Sequence, residues 1–222
     1  MGFLRRSSIP IPSYFQAYQA CRKERYHRKT PIREVEFVVL DTETTGFDAQ
    51  KDRILSIGAV VVRNQSFDLH RQLEIEIEQS IRPAQDTISI HGILPKDLPS
   101  HLPEEQALQA LLEYVEHRII VGHHIAFDKT MLNQLCKRYT GRTLHNQVLD
   151  THILARRAEH LRQRNLLNNK DYQLDTLAKR YHIPLADRHT AAGDSYITAI
   201  LFMKLLNQLD KRGVKTLGQL MR

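Results

Sequence analysis

The chain has 222 residues, a formal net charge of +7 and an apolar fraction of 41%, which suits one domain with a sizeable core. No apolar run approaches the roughly 18 residues of a membrane helix, and Met1-Gly2-Phe3-Leu4-Arg5-Arg6 has neither a signal core nor a myristoylation hydroxyl. Two cysteines, Cys21 and Cys136, exclude a disulfide framework and a Cys-x-x-Cys pair, so both read as small buried hydrophobes of a cytoplasmic protein.

The charge is concentrated at the start. Residues 1–33 hold eight basic residues (Arg5, Arg6, Arg22, Lys23, Arg25, Arg28, Lys29, Arg33) against Glu24, leaving 24 bases and 24 acids in the rest. A basic arm on a neutral body fits a polyanionic partner. Tyr14, Phe15, Tyr18 and Tyr26 either stack on bases or dock the arm on the body. Tyr14 to about Arg28 is expected to be helical, with Tyr14, Tyr18 and Cys21 on one face. Thr30-Pro31 ends that helix. Residues 1–33 thus form an arm, part helical, and 34–222 the main domain.

Phe37-Val38-Val39-Leu40 is an unbroken apolar run and predicts a strand buried on both faces. Arg53–Val62 reads as a second strand. The alternation Leu73, Ile75, Ile77 within about 67–81, with glutamates between, reads as an antiparallel strand near an edge. Helices are expected over Glu104–His117, Asp128–Tyr139, Thr151 to about Leu161, Leu174–Tyr181 and Ala191–Leu209. Short strands are expected at Arg118–Gly122 and Val148–Asp150, and a polar loop at Gln163–Lys170. A strand meander followed by strand–helix alternation gives an α/β fold: a mixed sheet with helices on its faces.

The first strand runs into Asp41-Thr42-Glu43-Thr44-Thr45-Gly46. Side chains alternate along a strand, so Asp41 and Glu43 point to the same side. Two adjacent carboxylates at a buried strand end resist ionising together unless a cation sits between them. Asp128 in Val121-Gly122-His123-His124-Ile125-Ala126-Phe127-Asp128 stands near a helix start, as does Asp194 in His189-Thr190-Ala191-Ala192-Gly193-Asp194. On one continuous helix His189 and Asp194 would point roughly 140° apart. They converge only if His189 precedes the helix, with Thr190 as its cap. Four carboxylates and one imidazole suit Mg²⁺ or Mn²⁺ rather than zinc. They are the apparatus for in-line displacement at a phosphodiester, with the histidine taking the proton of water.

These three segments, in this order and spacing, resemble the exonuclease motifs of the DEDDh family, which includes the proofreading epsilon subunit of bacterial DNA polymerase III. The resemblance covers about Glu36 to Leu209. It implies a ribonuclease-H-like, five-stranded mixed sheet flanked by helices, and hydrolysis of single-stranded nucleic acid, DNA before RNA, from the 3′ end. By the same resemblance Asp41, Glu43, Asp128 and Asp194 hold two Mg²⁺ or Mn²⁺ ions and His189 is the general base. Thr44, Thr45, Gly46, His91, Ile93, His124 and Phe127 are candidate substrate contacts, and a DNA polymerase is a candidate partner. Asp150 matches a recurrent family aspartate that is not a ligand. His124 stands where the family usually has Asn, which implies altered substrate contacts rather than inactivity. His70, His101, His117, His145 and His160 are expected to be surface or satisfied residues.

Overall fold

In the computed structural model, which describes residues 9–79, 101–159 and 168–222, Glu36–Thr44 forms the central strand β1. Ile54–Arg63 (β2) pairs with it antiparallel, and Ser66–Glu76 (β3) pairs antiparallel with β2. The link between β2 and β3 is Asn64 and Gln65, both at positive φ, the mirror-image turn that matches hairpin twist. Ile119–Gly122 (β4) and Val148–Asp150 (β5) add in parallel on the other side of β1. The described sheet therefore has five strands in the order β3-β2-β1-β4-β5. β3 ends at Glu76, short of the expected Ile81; beyond it Ile77 bridges Leu102 in parallel. Residues 80–100, which carry the candidate contacts His91 and Ile93, lie outside the described residues, as do His160 and 161–167.

The helices are Ser13–Ala20 (α1), Glu104–Val115 (α2), Ala126–Thr140 (α3), Thr151–Ala158 (α4), Leu174–Arg180 (α5), Ala191–Lys211 (α6) and Leu217–Leu220 (α7). Strand alternation divides them between two cores. Phe37 and Val39 face α4, α5, α6 and α7, while Val38 and Leu40 face α1, α2 and α3. Phe37 meets Phe202 of α6 edge-on at 5.0 Å. Burying such a side chain contributes about 1.5–3 kcal/mol. The parity matters for function. Asp41 and Glu43 continue the Phe37–Val39 face towards α6, and Thr42 continues the Val38–Leu40 face towards α3.

Two expectations at the ends of the chain are corrected. α1 is 8 residues long, passes into a 3₁₀ turn at Cys21–Glu24, and the chain is extended by Arg25. Its buried residues are Phe15 and Tyr18, at 1% and 3% exposure, whereas Tyr14 and Cys21 are half-buried. The aromatics dock rather than remaining free to stack on bases. The Tyr18 hydroxyl accepts from the His145 amide at 2.9 Å, Tyr26 accepts from the Glu36 amide at 3.1 Å, and Tyr14 donates to Glu105 at 3.2 Å. α7 was not expected. A Thr216–Gln219 capping box starts it, and Gly218 donates to the Arg28 carbonyl at 2.7 Å. A Cβ at Gly218 would lie 2.9 Å from that carbonyl oxygen.

Candidate active site

A cleft of about 470 Å³ opens where β1 outruns β4, lined by Asp41, Thr42, Glu43, Thr44, Phe47, His123, His124, Phe127, Asp128, His189 and Asp194. Pairing between β1 and β4 stops at Val39–Val121, but pairing with β2 continues to Thr44. The far half of β1 is thereby free on one side to meet the start of α3. There the Thr42 amide and hydroxyl both donate to Asp128 Oδ1, at 3.1 and 2.7 Å.

The last helix supplies the other wall. Thr190 caps α6, accepting from the Gly193 amide at 3.0 Å, so His189 precedes the helix as the sequence requires. His189 has φ +64°, and its exposed ring reaches the same cleft as Asp194. Two glycines permit this approach. Gly58 pairs with Asp41 across the sheet, and a Cβ there would lie 2.2 Å from the Ala191 carbonyl. A Cβ at Gly193 would lie 1.9 Å from the Asp187 carbonyl oxygen. Gly58 interrupts an otherwise apolar strand, the sequence sign of a close backbone approach.

The electrostatics are those of an acid cluster that a single guanidinium, Arg188, compensates only in part. Carboxylate oxygens of Asp41, Glu43 and Asp194 lie within 4.8 Å of one another. Burial first, then the charges of Asp128, Asp194 and Glu43, raise Asp41 well above the ordinary carboxylate range. Burial and then Asp194 push Glu43 up to about 7, against the pull of Arg188. Burial lifts Asp128 to about 6, opposed by its Thr42 hydrogen bonds. Asp194 Oδ1 is buried without a hydrogen-bond partner, while Oδ2 is ion-paired with Arg188, which also donates from Nε to Asp175 at 2.6 Å. Crowded, partly unpaired carboxylates fit divalent cations with hard oxygen preferences.

The five described residues singled out for substrate contact, Thr44, Thr45, Gly46, His124 and Phe127, fall into two groups. Thr44, His124 and Phe127 line the cleft. The Thr45 side chain is instead buried, donating to Asp52 Oδ1 at 2.8 Å, and a Cβ on Gly46 would lie 2.5 Å from the Asp52 carboxylate. Those two residues shape the turn and are not among the lining residues. Asp150 is a cap: Oδ1 accepts from the His152 and His124 amides at 2.9 and 3.1 Å. Sequence reasoning missed Phe47, which is 78% exposed and meets Phe127 at a tilt of 50° with centroids 5.9 Å apart. It also missed Arg188, which beside His189 looked like any surface base.

The exonuclease family profile of the RNase T type matches residues 38–202. The chain belongs to that exonuclease family. A PolC-type DNA polymerase III of Caldanaerobacter subterraneus subsp. tengcongensis is 34% identical over 191 residues, which is 84% of this chain but 13% of that protein. The DNA polymerase III subunit epsilon of Aquifex aeolicus is 29% identical over 78% of this chain and 81% of its own length. Among solved structures, E. coli Exonuclease I in complex with a dT13 oligonucleotide shares the fold, with a TM-score of 0.69 at 17% identity. That match covers 81% of this chain and 43% of the other. Exonuclease X in complex with 5′ overhanging duplex DNA gives 0.57 at 20% identity, covering 78% and 91%. An exonuclease domain of this family is a hydrolase. Among the described residues no helix is long and apolar enough to cross a membrane.

Proposed function

We propose that this exonuclease domain hydrolyses single-stranded DNA from its 3′ end, releasing nucleoside 5′-monophosphates. The observation that carries this reading is the meeting of Asp41, Glu43, Asp128, Asp194 and His189 in one cleft. Asp41, Glu43 and Asp194 would hold one divalent cation, and Asp128, steadied by Thr42, would serve a second with Asp41. Two such ions, Mg²⁺ or Mn²⁺, supply a water of lowered pKa and neutralise charge on the leaving oxygen. His189, exposed at the cleft ahead of α6, accepts the proton of the attacking water. Exposed Phe47, backed by the half-buried Phe127, offers a ring on which an unstacked terminal base can lie, and such stacking is worth about 1–3 kcal/mol per base.

Digestion of matched 5′-labelled DNA and RNA strands, with Mg²⁺, with Mn²⁺ and with chelator, tests the proposal. A ladder shrinking from the 3′ end only with metal, faster on DNA, is the expected result. Faster loss of RNA would reassign the substrate, and cleavage in chelator would overturn the metal assignment. His189→Ala should slow turnover by about 10²–10⁴; near-native rates at neutral pH would remove the histidine from that role. The names of the relatives favour a second reading, a proofreading module bound to a DNA polymerase. Co-purification with a polymerase, together with weak cleavage by the isolated chain, would support it.

A further inference from the structure

A second cluster stands beside the carboxylates. His123, His124 and His152 each bring a ring nitrogen within 4.8 Å of those of the other two. Ring centroids are 4.7 Å apart for His123–His124 and 4.4 Å for His124–His152. One oxygen builds the arrangement: Asp150 Oδ1 accepts from the amides of both His124 and His152, tying the exit of β4 to the first turn of α4. His124 is held there at φ +56°, a left-handed conformation that costs of order 1–3 kcal/mol and persists where the surroundings impose it.

The hydrogen bonds also fix which nitrogen of His123 is bare. Thr151 Oγ1 donates to the Gly122 carbonyl at 3.2 Å, so its remaining role towards His123 Nδ1, at 2.9 Å, is that of acceptor. With Thr151 donating to Gly122, the matching tautomer of His123 has its proton on Nδ1 and a lone pair on Nε2. That Nε2 is buried and without a partner, as is Nδ1 of His152. The Tyr172 carbonyl, as a backbone acceptor, pulls both imidazoles upward against their burial, but neither of those two nitrogens has a partner at hydrogen-bond geometry. A buried lone pair whose opposite nitrogen is oriented by a hydroxyl is the arrangement expected of a metal-ligating histidine.

We infer that His123, His124 and His152 form a binding site for a nitrogen-preferring transition-metal ion, Zn²⁺ above all, separate from the carboxylate cluster. Zn–N bonds of about 2.0–2.1 Å place tetrahedral ligand atoms about 3.4 Å apart, so the rings need only close from their present spread. Three imidazoles leave a fourth position open, and imidazole selects zinc where carboxylate selects magnesium or manganese. His124 and His123 line the cleft, so occupancy would fix two of its wall side chains. The two clusters sort hard and borderline cations within one cleft.

The full-length chain, saturated with Mg²⁺ to occupy the carboxylates, is titrated with Zn²⁺ against a chromophoric chelator. One equivalent should bind to the native chain and to Asp41→Asn alike, and His152→Ala should bind it at least about 100-fold more weakly. Co²⁺ in place of Zn²⁺ should give the visible absorption of a tetrahedral site in the native chain and lose it in His152→Ala. Circular dichroism checks the fold; if His152→Ala does not fold, His124→Ala, altered at an exposed side chain, is read in the same way. Unchanged affinity in the histidine variants, loss of binding in Asp41→Asn, or no Zn²⁺ uptake by the native chain would each overturn the site.

Discussion

Two helices of this protein begin with a buried carboxylate, and the two are held by opposite means. Asp128, in the first turn of α3, is gripped by neutral donors, the amide and hydroxyl of Thr42. Asp194, in the first turn of α6, is gripped by the guanidinium of Arg188. Neutral donors orient an oxygen and leave its charge in place, whereas a cation cancels the charge it orients. The α3 side of the cleft thus keeps its negative charge ready for a cation. The α6 side gives up its charge until Arg188 is displaced.

The charges of Asp128 and Asp194 both act on Asp41, so removing it gives the largest effect. Asp41→Asn should lower cleavage by about 10³-fold or more, since a charge aimed at the reacting centre is lost, while the circular dichroism spectrum is kept. Activity near the native level would mean that the cluster is structural. Thr42→Val comes next and isolates the α3 side. Losing a hydrogen bond to a charged group costs about 1.5–3 kcal/mol, so turnover should fall by about 10- to 100-fold, with Thr42→Ser restoring it. If valine is harmless, the amide of residue 42 alone suffices.

Arg188→Gln isolates the α6 side and should act in the opposite direction. Without a competing cation, Mn²⁺ affinity read by electron paramagnetic resonance should rise by about tenfold or more, a part of the roughly 4 kcal/mol that a unit charge 4 Å away carries at an effective dielectric near 20. Weaker Mn²⁺ binding would show that the guanidinium supports the metal rather than competes with it. The smallest effect is the pH dependence of the chelated protein. Glu43 and Asp128 are raised to about 7 and about 6 in the folded chain, and in the unfolded chain they titrate near pH 4. Between those limits the folded state binds more protons. Their contribution is therefore most favourable below about pH 4 and is lost as pH rises through about 7. Thermal melts in chelator should show this decline between about pH 4 and 7, and saturating Mg²⁺ should flatten it; a slope that ignores Mg²⁺ would have another origin.

Much of this was legible in the sequence because the chemistry sits on regular periods. The apolar run at 37–40 announced β1, and its alternation placed Asp41 beside Glu43. Thr190 as a cap told where α6 begins, which alone allows His189 and Asp194 to meet. What stayed hidden depends on contacts between distant segments. The helical face of Tyr14, Tyr18 and Cys21 looked sound, but the core took Phe15 and Tyr18 because Tyr18 reaches His145 and Asn146 across the fold. Arg188 and His152 carry no local signal, since each acquires its meaning from a partner far along the chain or across a turn. Thr216-Leu217-Gly218-Gln219 did carry a capping-box pattern, yet a helix of 4 residues is too short for periodicity to find.

The carboxylates of the site also differ in how firmly their backbones are anchored. Asp41 and Glu43 ride on β1, whose residues 37–40 are packed between both cores. Asp194 and His189 stand beside a turn that holds Asp187 and His189 at positive φ. Amide hydrogens at Val38–Leu40 should therefore exchange with solvent only when the whole domain opens, whereas those of the 187–190 turn should exchange by fraying of the first turn of α6. With His189 as the proposed base, gentle heating should lower cleavage while the sheet is still closed, and cooling should restore it; activity that falls only with global unfolding would place the weak point elsewhere.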